Sequence, residues 1–299
     1  MTPRYQAIIN GNAGGMASPD ARETLTGLLT AAFPCCQLVF PAEGDDVSAL
    51  AKEAVAQGAV MVIAGGGDGT INAVASGLVH SECILGVLPL GTLNHFARDL
   101  KIPLELEPAV EVLSGGVVIN VDTGSVNDRV FLNNSGLGLY PIVVELREGQ
   151  QERGWSKWPA AAWATLKALA RFPRLSLTVT VAGKKIVRTT PIVFVGNNEY
   201  VLDGVQVPSR ATLTNGVLCL YIPHPTGPFK LLWFSVRALF GRPRTGEDFD
   251  AMLVTECVIE SRHRQLSISI DGEVVRLATP LRYQVQPGAL RVMAPRGAD

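Results

Sequence analysis

The stretch Val60–Val74, VMVIAGGGDGTINAV, decides the fold. The uninterrupted apolar run Val60–Ala64 reads as a strand buried on both faces, the pattern of a parallel sheet. It runs directly into Gly65-Gly66-Gly67-Asp68-Gly69-Thr70, and Thr70–Val79 then reads as a helix. Glycines at such a turn allow positive φ and let backbone N–H groups approach an anion that Cβ atoms would obstruct. The helix N-terminus behind them adds partial positive charge. No Walker lysine follows, and the spacing is not the dinucleotide G-x-G-x-x-G, so neither of those loops is present. A tight βα turn uses Gly and Asp for its own reasons. The sequence on either side of the cluster decides between the two.

Upstream, Tyr5–Ile9 reads as a strand, Gly11–Gly15 as a turn, and Ser18-Pro19 as the N-cap and first residue of a helix to about Phe33. Gln37–Phe40 is a strand, and Asp45–Gln57 a helix stopped by Gly58. Downstream, Ile84–Leu88 is a buried strand and Thr92–Leu100 a helix. Alternation of strand and helix predicts an α/β domain with a parallel sheet. Asn10–Gly15 follows the first strand and Leu88–Asn94 the fourth. Three glycine-bearing loops thus converge where open α/β sheets bind ligands, at the carboxyl ends of their strands.

From about Asp122 the pattern shifts to short alternating segments: Arg174–Val181, Ile192–Val195, Val217–Ile222, Val254–Ile259, Leu266–Ile270, Val274–Leu277 and Leu281–Val285. That is the signature of an antiparallel, sandwich-like domain. The expected division is residues 1–125 for the α/β domain and 126–299 for the β-rich one. Two helical stretches, Trp158–Phe172 and Phe229–Phe240, interrupt the strands.

At 299 residues, with 47% hydrophobic and 18% charged, the chain is globular and long enough for two cores. Its net charge of −1 excludes a dedicated nucleic-acid binder, whose affinity comes from clustered Lys and Arg. Five Cys without a C-x-x-C spacing give neither a disulfide framework nor a zinc site, and four scattered His form no H-E-x-x-H. The N-terminus lacks a signal-peptide pattern, and no apolar run reaches the roughly 18 residues of a membrane span. The expected location is cytoplasmic, with peripheral attachment at the inner membrane face.

GGGDGTINAV together with LPLGTLNHFARDL resembles the diacylglycerol kinase catalytic-domain family, which includes bacterial lipid kinases and sphingosine kinases. INGNAGG is similar to the family's first loop, with Gly11 where a proline is usual. FLNNSGLGL (Phe131–Leu139) and VFVGNN (Val193–Asn198) are similar to its second domain, so the resemblance spans nearly the whole chain. It implies ATP-Mg²⁺ bound in the cleft between the two domains and transfer of phosphate to a lipid hydroxyl. It also implies nucleotide contacts from Asn10, Gly14, Gly66, Gly67, Asp68, Gly69, Thr70, Asn72, Gly91, Thr92 and Asn94. The family tends to place a threonine after the second strand, where this chain has Phe40-Pro41.

In SISIDGEVVRL, Asp271-Gly272 is by itself a leading two-residue hairpin signal. The resemblance adds a role, with Glu273 as proton acceptor, Asp271 assisting through orientation or metal contact, and Asp68 as the other acid facing the reacting centre. In ATLTNGVLCLY the family carries an Asp-Gly pair that holds a structural Mg²⁺. This chain has Asn215-Gly216, which keeps an amide oxygen but loses the charge a hard cation prefers, and which reads as a plain hairpin turn.

All four tryptophans, Trp155, Trp158, Trp163 and Trp233, fall in or beside the segments 155–172 and 228–241, mixed with Lys and Arg. Such helices suit a membrane interface, and equally a packed face with solvated charges. The expected partners are a lipid alcohol and, in a homodimer, a second copy of the chain. Two rival functions remain: an NAD kinase-like enzyme, which shares the G-G-D-G loop, and a catalytically weak nucleotide- or lipid-binding protein.

Overall fold

A computed structural model of the chain describes residues 4–13, 16, 18–139, 141, 175–201, 209–210, 212–224 and 249–297. Gly14, the four tryptophans and the helices expected over 155–172 and 228–241 lie outside the described residues. Two compact units emerge. One comprises Met1–Thr123, Thr212–Asn215 and Gln286–Asp299, the other Gly124–Ala211 and Gly216–Val285.

The first unit contains β1 (Arg4–Ile9), α1 (Pro19–Ala32), β2 (Gln37–Val39), α2 (Val47–Ala56), β3 (Ala59–Gly66), α3 (Asp68–Leu78), β4 (Ile84–Pro89), α4 (His95–Asp99) and α5 (Leu106–Gly115). β5 (Val117–Val126) runs from this unit into the second. The local reasons are legible residue by residue. The Asp46 carboxylate accepts the Ala49 N–H at 3.0 Å and caps α2, and Gly58 at φ 81° ends that turn. α3 buries Ile71, Val74, Ala75 and Leu78, one face at i, i+3, i+4 and i+7. β3 is buried from Met61 to Gly66, as a strand covered on both sides must be. α4 starts at His95 rather than at the expected Thr92, because Asn94 sits in the left-handed region at φ 51° and interrupts helical geometry.

The strands order as β2-β1-β3-β4, all parallel, with α2 packed on α3 and α1 on α5. β1 connects outward to β2 on one side, whereas β3 and β4 extend the other side. The strand order therefore reverses between β1 and β3, and the ligand crevice of an open α/β sheet forms outside that point.

The second unit holds β6 (Arg129–Phe131), β7 (Asn134–Gly138), β8 (Leu175–Val181), β9 (Lys184–Thr190), β10 (Ile192–Asn197), β11 (Tyr200–Val201), β12 (Ser209–Arg210), β13 (Leu218–Pro223), β14 (Phe249–Val254), β15 (Glu256–Ser261), β16 (Gln265–Ile270) and β17 (Glu273–Ala278). β18 (Leu281–Ala294) begins in this unit and ends in the first. One sheet orders as β14-β13-β10-β7-β16-β17. In the other, β15 lies between β8 and the start of β18, and β9 follows β8. Leu137, Val193, Val195, Leu220 and Ile268 of the first sheet share one core with Leu177, Val179, Ile259, Leu281 and Tyr283 of the second. This is the sandwich that the alternating segments predict.

Three expectations change. The strand expected over Val254–Ile259 is two strands in different sheets, β14 and β15, parted at Thr255. Asn215-Gly216 closes no hairpin. The residues before it are irregular, with Leu213 buried and its carbonyl accepting the Asp122 N–H at 2.8 Å, so they cannot pair with β13. The chain end also leaves the expected 126–299 domain: Arg291 and Val292 of β18 pair in parallel with Ile84 and Leu85 of β4, extending the first sheet. A strand that returns only after the residues of another unit leaves no mark in a linear reading.

Candidate active site

The crevice at the β1–β3 reversal is built from three turns, and each is tied to the next. After β1, the Asn10 N–H donates to the Gly65 carbonyl at 2.8 Å, and its Nδ2 donates to Thr70 Oγ1 at 3.3 Å. After β4, the N–H groups of Leu90 and Gly91 both donate to the Gly66 carbonyl, at 3.0 and 3.1 Å. A Cβ on Gly91 would stand 2.4 Å from the Gly67 Cα, so the two turns meet backbone to backbone and only glycine fits. Gly67, the N-cap of α3, would meet little but Gly91 with a Cβ of its own. Its surroundings are otherwise open. Gly69, Thr70 and Asn72 continue into α3, and Thr92 is exposed on the β4 turn.

Asp68 is the clasp between the turns. Its Oδ2 accepts the His95 N–H at 3.2 Å and its Oδ1 the Phe96 N–H at 3.1 Å, so it holds the start of α4 from the first residue of α3. Asn94 lies 4% exposed beneath the same turn, with Nδ2 donating to the carbonyls of Pro89 and Gly91 at 3.2 and 3.0 Å. Its Oδ1 is buried without a hydrogen-bond partner among the described residues. An unpaired buried acceptor costs about 1–3 kcal/mol, and a donor from a ligand would remove that cost. The glycine turn that side chains would fill and the N-terminus of α3 have the donor character that phosphates need, whereas the Asn94 oxygen, an acceptor, calls for a donor such as a hydroxyl.

In the second unit, Asp271-Gly272 forms the two-residue turn between β16 and β17, with φ of 46° and 91° and Ile270 paired to Glu273. The Glu273 side chain is exposed at the start of β17. Asp271 is buried instead. Its Oδ2 accepts the Leu132 N–H at 2.7 Å, and its Oδ1 accepts those of Asn133 and Asn134 at 2.8 and 2.9 Å. Burial raises its carboxyl from 3.8 to about 6, against the opposing pull of those three N–H groups and of the Arg210 guanidinium. Both oxygens serve as backbone acceptors, which favours the orienting role for Asp271 over metal contact.

Sequence reasoning missed the rest of this network. The buried Arg210 donates to the Leu132 carbonyl at 2.6 Å, to the Asn197 carbonyl at 3.2 Å and to Asn133 Oδ1 at 2.8 Å. Asn197 Nδ2 donates to the Leu132 carbonyl at 2.9 Å, and the Tyr200 hydroxyl donates to the Asn133 carbonyl at 3.1 Å. The runs FLNN and VFVGNN carried a signal, since consecutive amides at strand ends have backbone groups to satisfy.

No group of three or more His, Cys, Asp and Glu gathers to hold a metal among the described residues. Asn215 is exposed. Among the described residues, Asn215 supplies only a neutral amide oxygen where a hard cation prefers a carboxylate. A cavity of about 600 Å³ beside His80, Glu82 and Arg291 lies at the amino end of β4, the opposite end from the glycine turns. Among the described residues no helix is long and apolar enough to cross a membrane.

A glycine turn at the switch point of a doubly wound sheet, in a chain that also carries an antiparallel sandwich, defines the class of fold. Comparison with known proteins narrows it. Residues 4–126 match the diacylglycerol kinase catalytic domain, and residues 151–294 match the YegS C-terminal NAD kinase beta sandwich-like domain. A Pseudomonas putida protein named "Probable lipid kinase YegS-like" is 30% identical over 86% of this chain and 84% of its own. A protein of the same name from Chromohalobacter salexigens is 29% identical over 97% and 93%. Two solved chains from Bacillus anthracis str. Sterne share the fold. One, described as a diacylglycerol kinase, has TM-score 0.73 at 21% identity and covers 99% of this chain and 98% of its own. The other has TM-score 0.80 at 24% identity and covers 99% and 96%. The chain belongs to the diacylglycerol kinase catalytic-domain family.

Gly91→Ala should push the two glycine turns apart, costing about 1–3 kcal/mol as overpacking does. Gly115→Ala, at a helix end with nothing within 4 Å of the new Cβ, serves as the control. Urea unfolding followed by circular dichroism reads both. Equal midpoints would show that the Gly67 contact imposes no such constraint.

Asp271 also predicts a pH dependence. Its folded-state carboxyl lies above the unfolded value, so its contribution to stability is complete below about pH 4 and is lost as pH rises through about 6. The urea midpoint of wild type relative to the non-titrating Asp271→Asn should therefore be higher at pH 4.5 than at pH 7. An advantage that grows above pH 6 would mean that the backbone N–H groups outweigh burial.

Proposed function

We propose that the chain is an ATP-dependent lipid kinase, transferring the γ-phosphoryl group of ATP to the hydroxyl of a diacylglycerol-like lipid. The observation that carries this reading is the Gly67–Gly91 backbone cradle, in a chain whose relatives are named lipid kinases. Backbone N–H groups of Gly66–Thr70 hold phosphates, Asn10 and Thr70 fix the first turn against the second, and Asn94 offers its unpaired oxygen to a ligand donor.

Glu273 takes the proton of the acceptor hydroxyl as its oxygen bonds to the γ-phosphorus, and the bridging bond to the β-phosphate breaks with its electron pair leaving on ADP. Asp271, one turn away and locked by three backbone N–H groups, is the positioning residue for that carboxylate. Mg²⁺ carried on the nucleotide's phosphates supplies neutralising charge there when bound. A lipid acceptor implies work at a membrane face, for which segments 155–172 and 228–241 are the proposed contact.

The NAD kinase-like reading stays in view because the second domain is of the NAD kinase beta sandwich-like type. Purified protein, radiolabelled ATP and a panel of diacylglycerol, monoacylglycerol, sphingosine and NAD separate the readings. Label in a lipid is expected. Label in NAD alone would replace the lipid assignment, and tight ATP binding without any labelled product would leave a binding protein. On the labelled lipid, Glu273→Gln should lower kcat about 10²- to 10⁴-fold while sparing ATP affinity. Full activity in that variant would remove Glu273 from the mechanism.

A further inference from the structure

Along the carboxyl edge of the first sheet, β2, β1 and β3 end side by side in Phe40, Asn10-Gly11 and the glycine turn. Phe40 is 36% exposed there, on the outermost of those strands. Its ring is held. The Arg22 guanidinium, reaching from α1, lies over it with Cζ 5.2 Å from the centroid. Arg22 is itself anchored, Nε donating to the Met16 carbonyl at 2.5 Å and Nη2 to the Gly11 carbonyl at 3.2 Å. A Cβ on Gly11 would stand 2.7 Å from Arg22 Nη2 and 3.9 Å from the Phe40 ring, so glycine makes the room for this arrangement. Gly11 stands where the family it resembles usually has a proline, and Phe40-Pro41 where it tends to have a threonine. In space Gly11 and Phe40 are neighbours, joined by Arg22.

We infer that Phe40 is the surface that recognises the nucleotide's base, its ring stacking on a purine, and that Arg22 and Gly11 hold it for that purpose. The inference rests on the glycine turn being a nucleotide site. β2 stands two strand spacings from β3, about 10 Å, a span that a ribose crosses between a phosphate on the Gly67 turn and a base at the sheet edge. A base and an aromatic ring stack face to face, and the larger purine covers more of the ring than a pyrimidine does. Leu93, exposed on the β4 turn at the other side of the cradle, is aliphatic and offers no such face.

Titration calorimetry of the full chain with ATP, CTP and inorganic tripolyphosphate tests this. Wild type should bind ATP more tightly than CTP. Phe40→Ala should weaken ATP about tenfold, in the range that one base–aromatic stack provides, and leave tripolyphosphate unchanged. Phe40→Trp should restore ATP affinity, and the added indole fluorescence should be quenched by ATP and not by tripolyphosphate. Unchanged ATP affinity in Phe40→Ala would overturn the stacking role and leave the phosphate site standing. Equal weakening of ATP and tripolyphosphate would also overturn it, since the loss would then lie in the cradle. Wild-type protein that binds neither ATP nor tripolyphosphate would overturn the nucleotide reading and this inference together.

Discussion

The backbone of Gly91 can lie against Gly67 as closely as it does only because Gly91 carries no Cβ, and the arrangement of turns in the first unit depends on that approach. The Gly66 carbonyl accepts from both Leu90 and Gly91, which places the β4 turn beside the start of α3. Asp68 can then reach the amides of His95 and Phe96, and Asn94 is pressed beneath the turn with one oxygen unpaired. The crevice is therefore a backbone structure. Side chains brace it, and the positions of its main-chain amides are set by packing; under the proposed function such preorganised donors need no rearrangement when charge arrives.

The second unit solves a different problem with the same chemistry. The turn Leu132–Asn134 enters a sandwich whose interior is apolar, so each of its backbone groups needs a partner. Asp271 takes the three N–H groups, while Arg210, Asn197 and Tyr200 serve the carbonyls of Leu132 and Asn133. The carboxylate that does this sits in the hairpin turn that also presents Glu273. Rigidity of the exposed acid then follows from satisfaction of the buried one, because a two-residue turn leaves little freedom between adjacent residues.

Strong local signals made most of the first unit legible. The apolar run of β3 and the helix stop at Gly58 are local signals, the glycine cluster takes its meaning from the elements on either side, and strand–helix alternation fixes a parallel sheet without reference to distant residues. α4 was placed three residues early because Asn94 adopts a left-handed conformation that its residue type permits and does not announce. What escaped was long-range. The return of β18 to β4, the division at Thr255 between two sheets, and the roles of Arg210 and Leu213 depend on partners far away in sequence. Asn215-Gly216 shows the converse: its hairpin signal is as strong as Asp271-Gly272, yet only the latter lies between two strands free to pair. Turn chemistry names a conformation. Tertiary anchoring decides whether strands flank it.

For the proposed phosphate site, an acid at position 68 is at first sight a liability, since like charges close together repel. The geometry of Asp68 resolves this. Its two oxygens point at the amides that open α4, so its charge is matched by donors that the cradle does not use. In the proposed reading the first amides of α3 are then left for a phosphate, while the N-terminus of α4 is taken by the Asp68 carboxylate. A neutral amide at position 68 would offer one acceptor oxygen to two backbone donors, and a shorter side chain would reach neither. The Gly66 carbonyl holds the β4 turn, and the aspartate adds a hold on the first turn of α4 beyond it. Gly91 makes the close approach possible, and the acid ties α4 to it.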